Sequence, residues 1–345
     1  MIPRVAILAC LSANGEQGGA ERFFTGLRDA LSGAGIAAQL LEIYNDERDF
    51  EHIKKSYLRF YDLKLDGYDG IISAKAPSFV ARHGNHVCYL MHTMRVFYDM
   101  FDSTFRHPTR QNLEQRRLVH ALDTAALQRP RRLFAIGDEV AERLIRFNGL
   151  RAEVMRHPTS MVGLHEGGYE YFLLPGRLHR WKRTALAIEG MQFVTAPVEL
   201  IVVGEGEDEA EFRRAACGNP RIHFLGRVSD ARLADLYADA LAVLFTPKSE
   251  DLGLITLEAF QSAKPVITCT DSGEPARIVT DGVSGFVCRP EAAHIGACME
   301  HLAHNPDHAR AMGRAGQSSI AEITWERVAD TLRTALGFDE WSIAQ

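Results

Sequence analysis

The stretch FTPKSEDLGLITLEAFQSAKPVIT, residues 245–268, places two carboxylates, Glu250 and Glu258, on either side of a short apolar run. It continues the apolar segment ALAVLFTP through the loop KSEDLG into LITLEAF, which reads as a strand, a turn and the start of a helix. In an open parallel sheet, ligands sit outside the carboxyl ends of strands, where helix N-termini aim backbone N–H groups and a partial positive charge at anions. Gly253 lets the backbone approach a ligand closely, and the amides of Leu254 and Ile255 are expected to be available at the helix start. Glu250 falls in the loop and Glu258 about one turn into the helix, so both can face the same cleft. Carboxylates beside an anion site do not bind phosphate themselves; they suit neutral hydroxyls. That is the pattern expected for a nucleotide sugar, with the diphosphate on the helix end, one Glu on the sugar hydroxyls and the other bidentate to the ribose. The same residues also fit a plainer reading, with Glu258 on a helix surface and Glu250 as a partner of the helix dipole.

Outward from this stretch, strand-like apolar runs alternate with amphipathic segments along the whole chain, which predicts α/β architecture with largely parallel sheets. RVAILAC, AQLLEIY, DGIIS, HVCYLMH and RLFAIG read as strands in the first half, with helices over 20–32, 114–127 and 138–147. In the second half EYFLLPG, VELIVVG, RIHFLG, ALAVLFTP, PVITC and GFVCR read as strands, with helices over 182–191, 207–216, 230–238, 254–263 and 292–304. The polar, Gly- and Pro-containing break HPTSMVGLHEGGYE, residues 157–170, is the expected hinge between two Rossmann-like domains. The predicted division is one Rossmann-like domain over 1–157, a second over 158–322, and a tail over 323–345 whose Val328, Leu332, Ala335 and Leu336 repeat at helical spacing.

The composition of the 345 residues is that of a globular protein, 46% apolar and 24% charged, so two domains of ordinary size can each bury a core. A net charge of -6 leaves no basic excess to neutralise a nucleic-acid backbone. Six cysteines are scattered without a C-x-x-C pair, which fits buried free thiols in a reducing cytoplasm. MIPRVAILACLSANGE reads as a first buried strand followed by a loop rather than a signal peptide, and no apolar run is long enough to span a bilayer.

Further residues with chemistry follow other strand ends. Arg177 and Lys182 in PGRLHRWKR can both reach a diphosphate, the first as a planar fork and the second as a mobile point charge; otherwise they are solvated surface cations. Gly18 and Gly19 lead into a helix whose amides can line a phosphate or acceptor site. His92 directly follows a strand, and Arg95 and Asp99 lie close behind it, where they could meet an acceptor. VGEGEDEAEF has the glycines of a dinucleotide turn, but the first strand-turn of the chain lacks G-x-G-x-x-G, which argues against a dehydrogenase. HIKKSYLRFYDLKL, residues 52–65, mixes four cations with Tyr57, Phe60, Tyr61 and Leu65; it suits either a helix resting on anionic lipid or a solvated helix with an ordinary buried side.

SEDLGLITLEA resembles the Glu-x7-Glu signature of retaining GT-B glycosyltransferases of family 4, the glycosyl transferases group 1. GGAER resembles the N-terminal glycine loop of that family, PGRLHRWKR its G-R-x(n)-K element, VGEGED its strand-to-glycine turn and HFLGRVSDARLADLYADA its nucleotide-side segment. DGVSGFV is similar to its late glycine turn, and TWERVAD to its tail helix. The resemblance implies the GT-B fold, two Rossmann-like domains facing each other across a cleft, the first (1–157) acceptor-binding and the second (158–322) nucleotide-sugar-binding, with a C-terminal helix (323–345) crossing back to the first. It implies catalytic roles for His92, Arg177, Lys182 and Glu250. It implies donor contacts from Gly18, Gly19, Gly204, Arg227 and Ser229, and from Leu252, Gly253, Leu254, Ile255 and Glu258. Acceptor contacts would come from Glu21, Arg22, Arg95 and Asp99. One departure stands out: DSGEPARIV keeps Gly273 but has Arg277 where the family customarily has a Glu, a cation that could touch phosphate or an acidic acceptor, or pair with Glu274.

The activity expected is that of a retaining hexosyltransferase moving a sugar from a nucleotide diphosphate to a hydroxyl on a growing glycan, polysaccharide or lipid-linked acceptor. No cofactor and no metal are expected, because Arg177 and Lys182 can supply the charge a divalent ion would give. The expected location is cytoplasmic, with peripheral contact at the inner face of the membrane. A catalytically silent sugar-nucleotide-binding protein and a GT-B-fold epimerase are the alternatives; donor hydrolysis separates the first, and interconversion of the free nucleotide sugar the second.

Overall fold

The computed structural model describes residues 2–12, 19–216 and 218–338. It divides into two compact units, one built from the chain up to Ser160 together with the residues from Ile323 onward, the other from Met161–Glu322.

In the first unit the strands are β1 (Arg4–Ser12), β2 (Ala37–Asn45), β3 (Gly70–Lys75), β4 (His86–His92), β5 (Arg132–Ala135) and β6 (Glu153–Val154). They form one parallel sheet in the order β2-β1-β3-β4-β5-β6. The helices are α1 (Gly19–Gly33), α2 (Phe50–Tyr61), α3 (Phe101–Thr104), α4 (Arg110–Leu127) and α5 (Asp138–Asn148). Strands β3 and β4 are buried almost throughout, which is why GIISAK and HVCYLMH read as continuous runs rather than alternating ones.

The second unit repeats the scheme. Its elements are β7 (Tyr171–Pro175), α6 (Thr184–Gly190), β8 (Leu200–Val203), α7 (Glu209–Ala215), β9 (Ile222–Gly226), α8 (Asp230–Ala238) and β10 (Ala240–Leu244). They continue with α9 (Leu254–Gln261), β11 (Val266–Cys269), α10 (Glu274–Ile278), β12 (Gly285–Cys288), α11 (Ala292–His304) and α12 (Pro306–Ser319). The sheet is parallel in the order β12-β11-β10-β7-β8-β9. Its core gathers Phe172, Leu174, Ile188, Leu200, Val202 and Leu244 with Ile295, Met299 and Leu302 of α11.

The last helix, α13 (Trp325–Ala335), belongs to the first unit and packs on α1. Its Trp325 ring stacks on the buried His157 at 5.3 Å and lies 6.1 Å from Phe23. Gly26 makes this possible, since a Cβ there would come within 2.5 Å of the indole.

Several boundaries differ from the sequence reading for local reasons. Helix α4 begins at Arg110 rather than 114, because Thr109 and Asn112 form a reciprocal capping box. The helix expected over 182–191 starts only at Thr184, since Arg183 adopts a left-handed conformation with φ 50°. The helix expected over 207–216 starts at Glu209, because the Asp208 carboxylate accepts the Arg180 amide at 2.7 Å. The helix expected over 254–263 ends at Gln261, and Ala263 turns the chain toward β11 with φ 52°. Helix α12 was not expected at all. Among the described residues no helix is long and apolar enough to cross a membrane. The five described cysteines are free thiols.

Asp123 of α4 is fully buried in the first unit and accepts hydrogen bonds from Tyr57 at 2.6 Å and Tyr98 at 2.8 Å. Burial pushes its pKa up from 3.8 to about 7 despite both tyrosines. The folded chain therefore holds this proton where the unfolded chain has released it. The stability it contributes is fully present below about pH 4 and is lost as pH rises through about 7. Between about pH 5 and about pH 8, the wild type should lose stability to urea relative to Asp123→Asn. Parallel pH profiles for the two proteins would show that Asp123 does not titrate in this range.

Candidate functional site

In the second sheet β7 is the first strand in sequence and β10 the fourth, and they lie side by side. The connections run outward in opposite directions from this pair, so the crevice at their carboxyl ends is the topological switch point where open α/β sheets bind ligands. Arg177 and Lys182 follow β7; Glu250, Gly253 and the start of α9 follow β10. Sequence-distant residues therefore meet here. Lys182 Nζ donates to both carboxylate oxygens of Glu250, at 2.8 and 2.7 Å, and lies 5.5 Å from the Phe245 ring centre.

The backbone around Glu250 is pinned on both sides. Its amide donates to the Ser272 carbonyl at 2.8 Å, and its own carbonyl accepts the Glu274 amide at 2.9 Å. This close pairing needs a glycine at 273, because a Cβ there would come within 2.6 Å of the Glu250 backbone. Gly253, at φ 78°, is the left-handed residue immediately before α9, and Leu254 and Ile255 open the helix. Leu252 is buried beneath them. Gly204, at the end of β8, is required for a different reason: a Cβ would sit 2.0 Å from the Gly176 carbonyl oxygen. Its role in the structure is to let the turns after β7 and β8 run against each other.

Arg183, which sequence reading did not single out, organises these loops. Its guanidinium forks onto both oxygens of Asp271 at 2.8 and 2.7 Å and donates to the Thr246 carbonyl at 2.8 Å and the Pro247 carbonyl at 2.6 Å. One side chain thereby ties the segment carrying Lys182 to the segment carrying Glu250 and to the 271–273 turn. The only hint in the sequence is a third cation beside Trp181 and Lys182, and nothing marks its partners.

The other expected donor residues divide. Arg177 forks onto Glu207, with Nε 3.2 Å from one oxygen, and holds that carboxyl below the usual carboxylate range. Glu258 is 6% exposed and accepts the Tyr237 hydroxyl at 2.8 Å, which corrects the reading of it as a surface residue: its side chain turns inward toward α8. Glu250 pairs with Lys182 rather than serving the helix dipole alone. Ser229 is the N-cap of α8, its Oγ accepting the Arg232 amide at 3.2 Å, and Arg227 is exposed just after β9. Arg277 is exposed in the last turn of α10.

In the first unit, His92 ends β4 and its Nδ1 donates to the Thr93 carbonyl at 2.9 Å. Arg95 and Asp99 pair with each other at 2.5 Å, and Asp99 also meets the buried Arg143 at 3.0 Å. That network fixes the turn after β4 to α5. Gly19 is the first residue of α1, and the Arg22 carbonyl accepts Ser160 Oγ at 3.0 Å. Gly18 lies outside the described residues, and so does the Glu21 side chain. Among the described residues no group of His, Cys, Asp and Glu could hold a metal ion.

Residues 160–319 match the family model for glycosyl transferases group 1. The chain is 36% identical over 101 residues to the alpha-1,3/1,6-mannosyltransferase ALG2 of Mus musculus, covering 29% of this chain and 24% of that one. It is 29% identical over 161 residues to the D-rhamnosyltransferase WbpZ of Pseudomonas aeruginosa, covering 45% and 42% of the two chains. The chain thus spans about a quarter to less than half the length of these relatives. Among solved structures, the sucrose-phosphate synthase of Thermosynechococcus elongatus superposes with a TM-score of 0.75 at 18% identity, covering 99% of this chain and 100% of that one. Anabaena HepE in complex with UDP-glucose gives 0.72 at 16% identity over 97% and 99%. The fold is GT-B, with two parallel six-stranded α/β units.

Removing the Arg183 fork should destabilise the second unit. Arg183→Ala removes this donor from the Thr246 carbonyl and the Asp271 carboxylate and leaves the Pro247 carbonyl to Ser272 Oγ, a loss of about 1–3 kcal/mol. Arg183→Lys should recover only part of it, because an ammonium cannot form the planar fork. Urea unfolding of the three proteins checks this, and a lysine variant as stable as the wild type would refute the role of the fork.

Proposed function

We propose that this chain is a metal-independent, retaining hexosyltransferase, moving a sugar from a nucleotide diphosphate to a hydroxyl of a glycan or lipid-linked acceptor. The observation that carries the reading is the Lys182–Glu250 pair at the β7/β10 switch point, beside the N-terminus of α9. A cation, a carboxylate and a helix start on neighbouring strand ends match the three parts of a sugar nucleotide: charged diphosphate, hydroxylated sugar and departing oxygen. The group 1 match over the same residues and the UDP-glucose complex of a structural neighbour support a donor of this class. The mannosyl- and rhamnosyltransferases among the relatives support a hexose.

As the glycosidic C–O bond breaks, negative charge builds on the diphosphate and positive charge on the sugar. Lys182 and the first amides of α9 meet the negative charge without reorganisation, and Arg177 joins them by leaving Glu207, which lowers the barrier electrostatically. The acceptor hydroxyl attacks on the same face and passes its proton to the departing phosphate oxygen. Glu250 orients the sugar hydroxyls, and Glu258, its rotamer fixed by Tyr237, serves the ribose. The two cations are not equally available. Arg177 and Glu207 are 52% and 54% exposed, and such a pair is worth only about 0–1 kcal/mol, so a diphosphate can take Arg177 from it. Lys182 and Glu250 are 29% and 23% exposed and more firmly held, so Lys182 is a fixed part of the site.

Arg177→Ala and Lys182→Ala should each lower kcat by about a hundredfold or more, with a smaller change in KM, because diphosphate charge is greater in the transition state than in the bound donor. Thermal shift with UDP-, GDP- and ADP-sugars identifies the donor, and proton NMR of the new linkage should show the anomeric configuration of the donor retained. An inverted anomer, or activity abolished by EDTA and restored by Mg²⁺, would overturn the mechanism.

A further inference from the structure

The first unit carries an open groove of about 540 Å³ whose lining includes none of the residues assigned above to a donor or acceptor. Helices α2 and α4 both pack on the short turn Ser78–Val80, leaving the groove between them with Val80 at its floor. Tyr57 and Asp123 hold the two helices in this arrangement through their 2.6 Å hydrogen bond. The walls are apolar side chains at helical spacing: Leu58 and Tyr61 from α2, Leu118 and Leu122 from α4. These are large apolar groups left in water, with Leu58 60%, Leu118 42% and Leu122 41% exposed.

The charged residues lining the groove are Lys54 and Arg129, and both are cations. Exposed Lys55 and Arg117 stand beside the apolar walls, and Arg82 lies 4.2 Å from the Tyr61 ring centre. Glu51 pairs with Lys54 at 2.7 Å, Glu114 pairs with Arg110 at 2.8 Å, and exposed Asp62 caps α2, so the cationic surplus around the groove rests on Lys55, Arg82, Arg117 and Arg129. A chain of net charge -6 thus concentrates cations around its apolar groove. A second copy docked groove to groove would set Lys54 and Arg129 against the same cations of its mate, as a two-fold interface requires. An anionic lipid leaflet offers what the groove lacks, hydrocarbon for the walls and phosphates for the rim.

We propose that this groove seats the chain on an anionic bilayer, with Leu58, Leu118 and Leu122 entering the acyl boundary and Lys54, Lys55 and Arg129 on headgroup phosphates. The proposal concerns adsorption, so its failure would leave the transferase reading untouched. The test is co-sedimentation of the full chain with vesicles of phosphatidylcholine alone and of equal parts phosphatidylcholine and phosphatidylglycerol. Adsorption is expected only on the mixed vesicles and should fall with added salt. Leu118→Glu with Leu122→Glu should reduce partitioning by about tenfold or more. Lys54→Gln and Lys55→Gln should each reduce it about fivefold. Should the double glutamate variant unfold by circular dichroism, Leu58→Ser, at a more exposed position, replaces it with the same expected direction. Absence of adsorption on the mixed vesicles overturns the proposal, as does adsorption indifferent to the leucine substitutions or equal on phosphatidylcholine alone. A dimer in solution that the glutamate variants dissociate would assign the groove to a second copy instead.

Discussion

The loops at the carboxyl ends of β7 and β10 depend on the guanidinium of Arg183. Lys182 and Glu250 lie on loops 68 residues apart in sequence, and no strand or helix contains both. What brings their loops into register is a neighbouring side chain that forks onto Asp271 and caps the carbonyls of Thr246 and Pro247. Arg183 itself occupies the left-handed region, which disfavours a residue with a Cβ by about 1–2 kcal/mol. Four charge-assisted hydrogen bonds offset that strain. The strained backbone turns residue 183 into the loops and so sets the direction from which Lys182 reaches Glu250.

Much of the fold is legible because parallel strands covered on both faces must be apolar at successive positions, as β3 and β10 are. The glycines after strands are legible too, since close backbone approach leaves no other choice at Gly204 and Gly273. Helix α12 escapes for the same reason turned around. Gly313 and Gly316 suggest a broken helix, yet a Cβ at Gly313 would meet the Ala263 carbonyl oxygen at 1.8 Å, and one at Gly316 would meet the Phe260 ring at 2.4 Å. These glycines let a helix pack closely instead of ending it.

At the site, residue types were readable and their partners were not. Glu250, Lys182 and Arg177 announce themselves by position after strands. The fork of Arg177 on Glu207, the bond from Tyr237 to Glu258 and the clasp on Asp271 join segments 30, 21 and 88 residues apart. Sequence spacing carries no trace of such pairings. The same limit holds for Arg95 and Asp99, whose bonds to each other and to the buried Arg143 no spacing announces.

Because α13 completes the first unit after the whole of Met161–Glu322 has intervened, vectorial synthesis has a particular consequence for this chain. The face of α1 that bears Phe23 and Gly26 emerges from the ribosome early, but the indole that covers it is made about 300 residues later. At about 5–20 residues per second, that face waits roughly fifteen to sixty seconds for Trp325. Over that interval the nascent first unit exposes an apolar seam that the finished protein conceals, so the nascent chain presents chaperones with a surface absent from the completed fold.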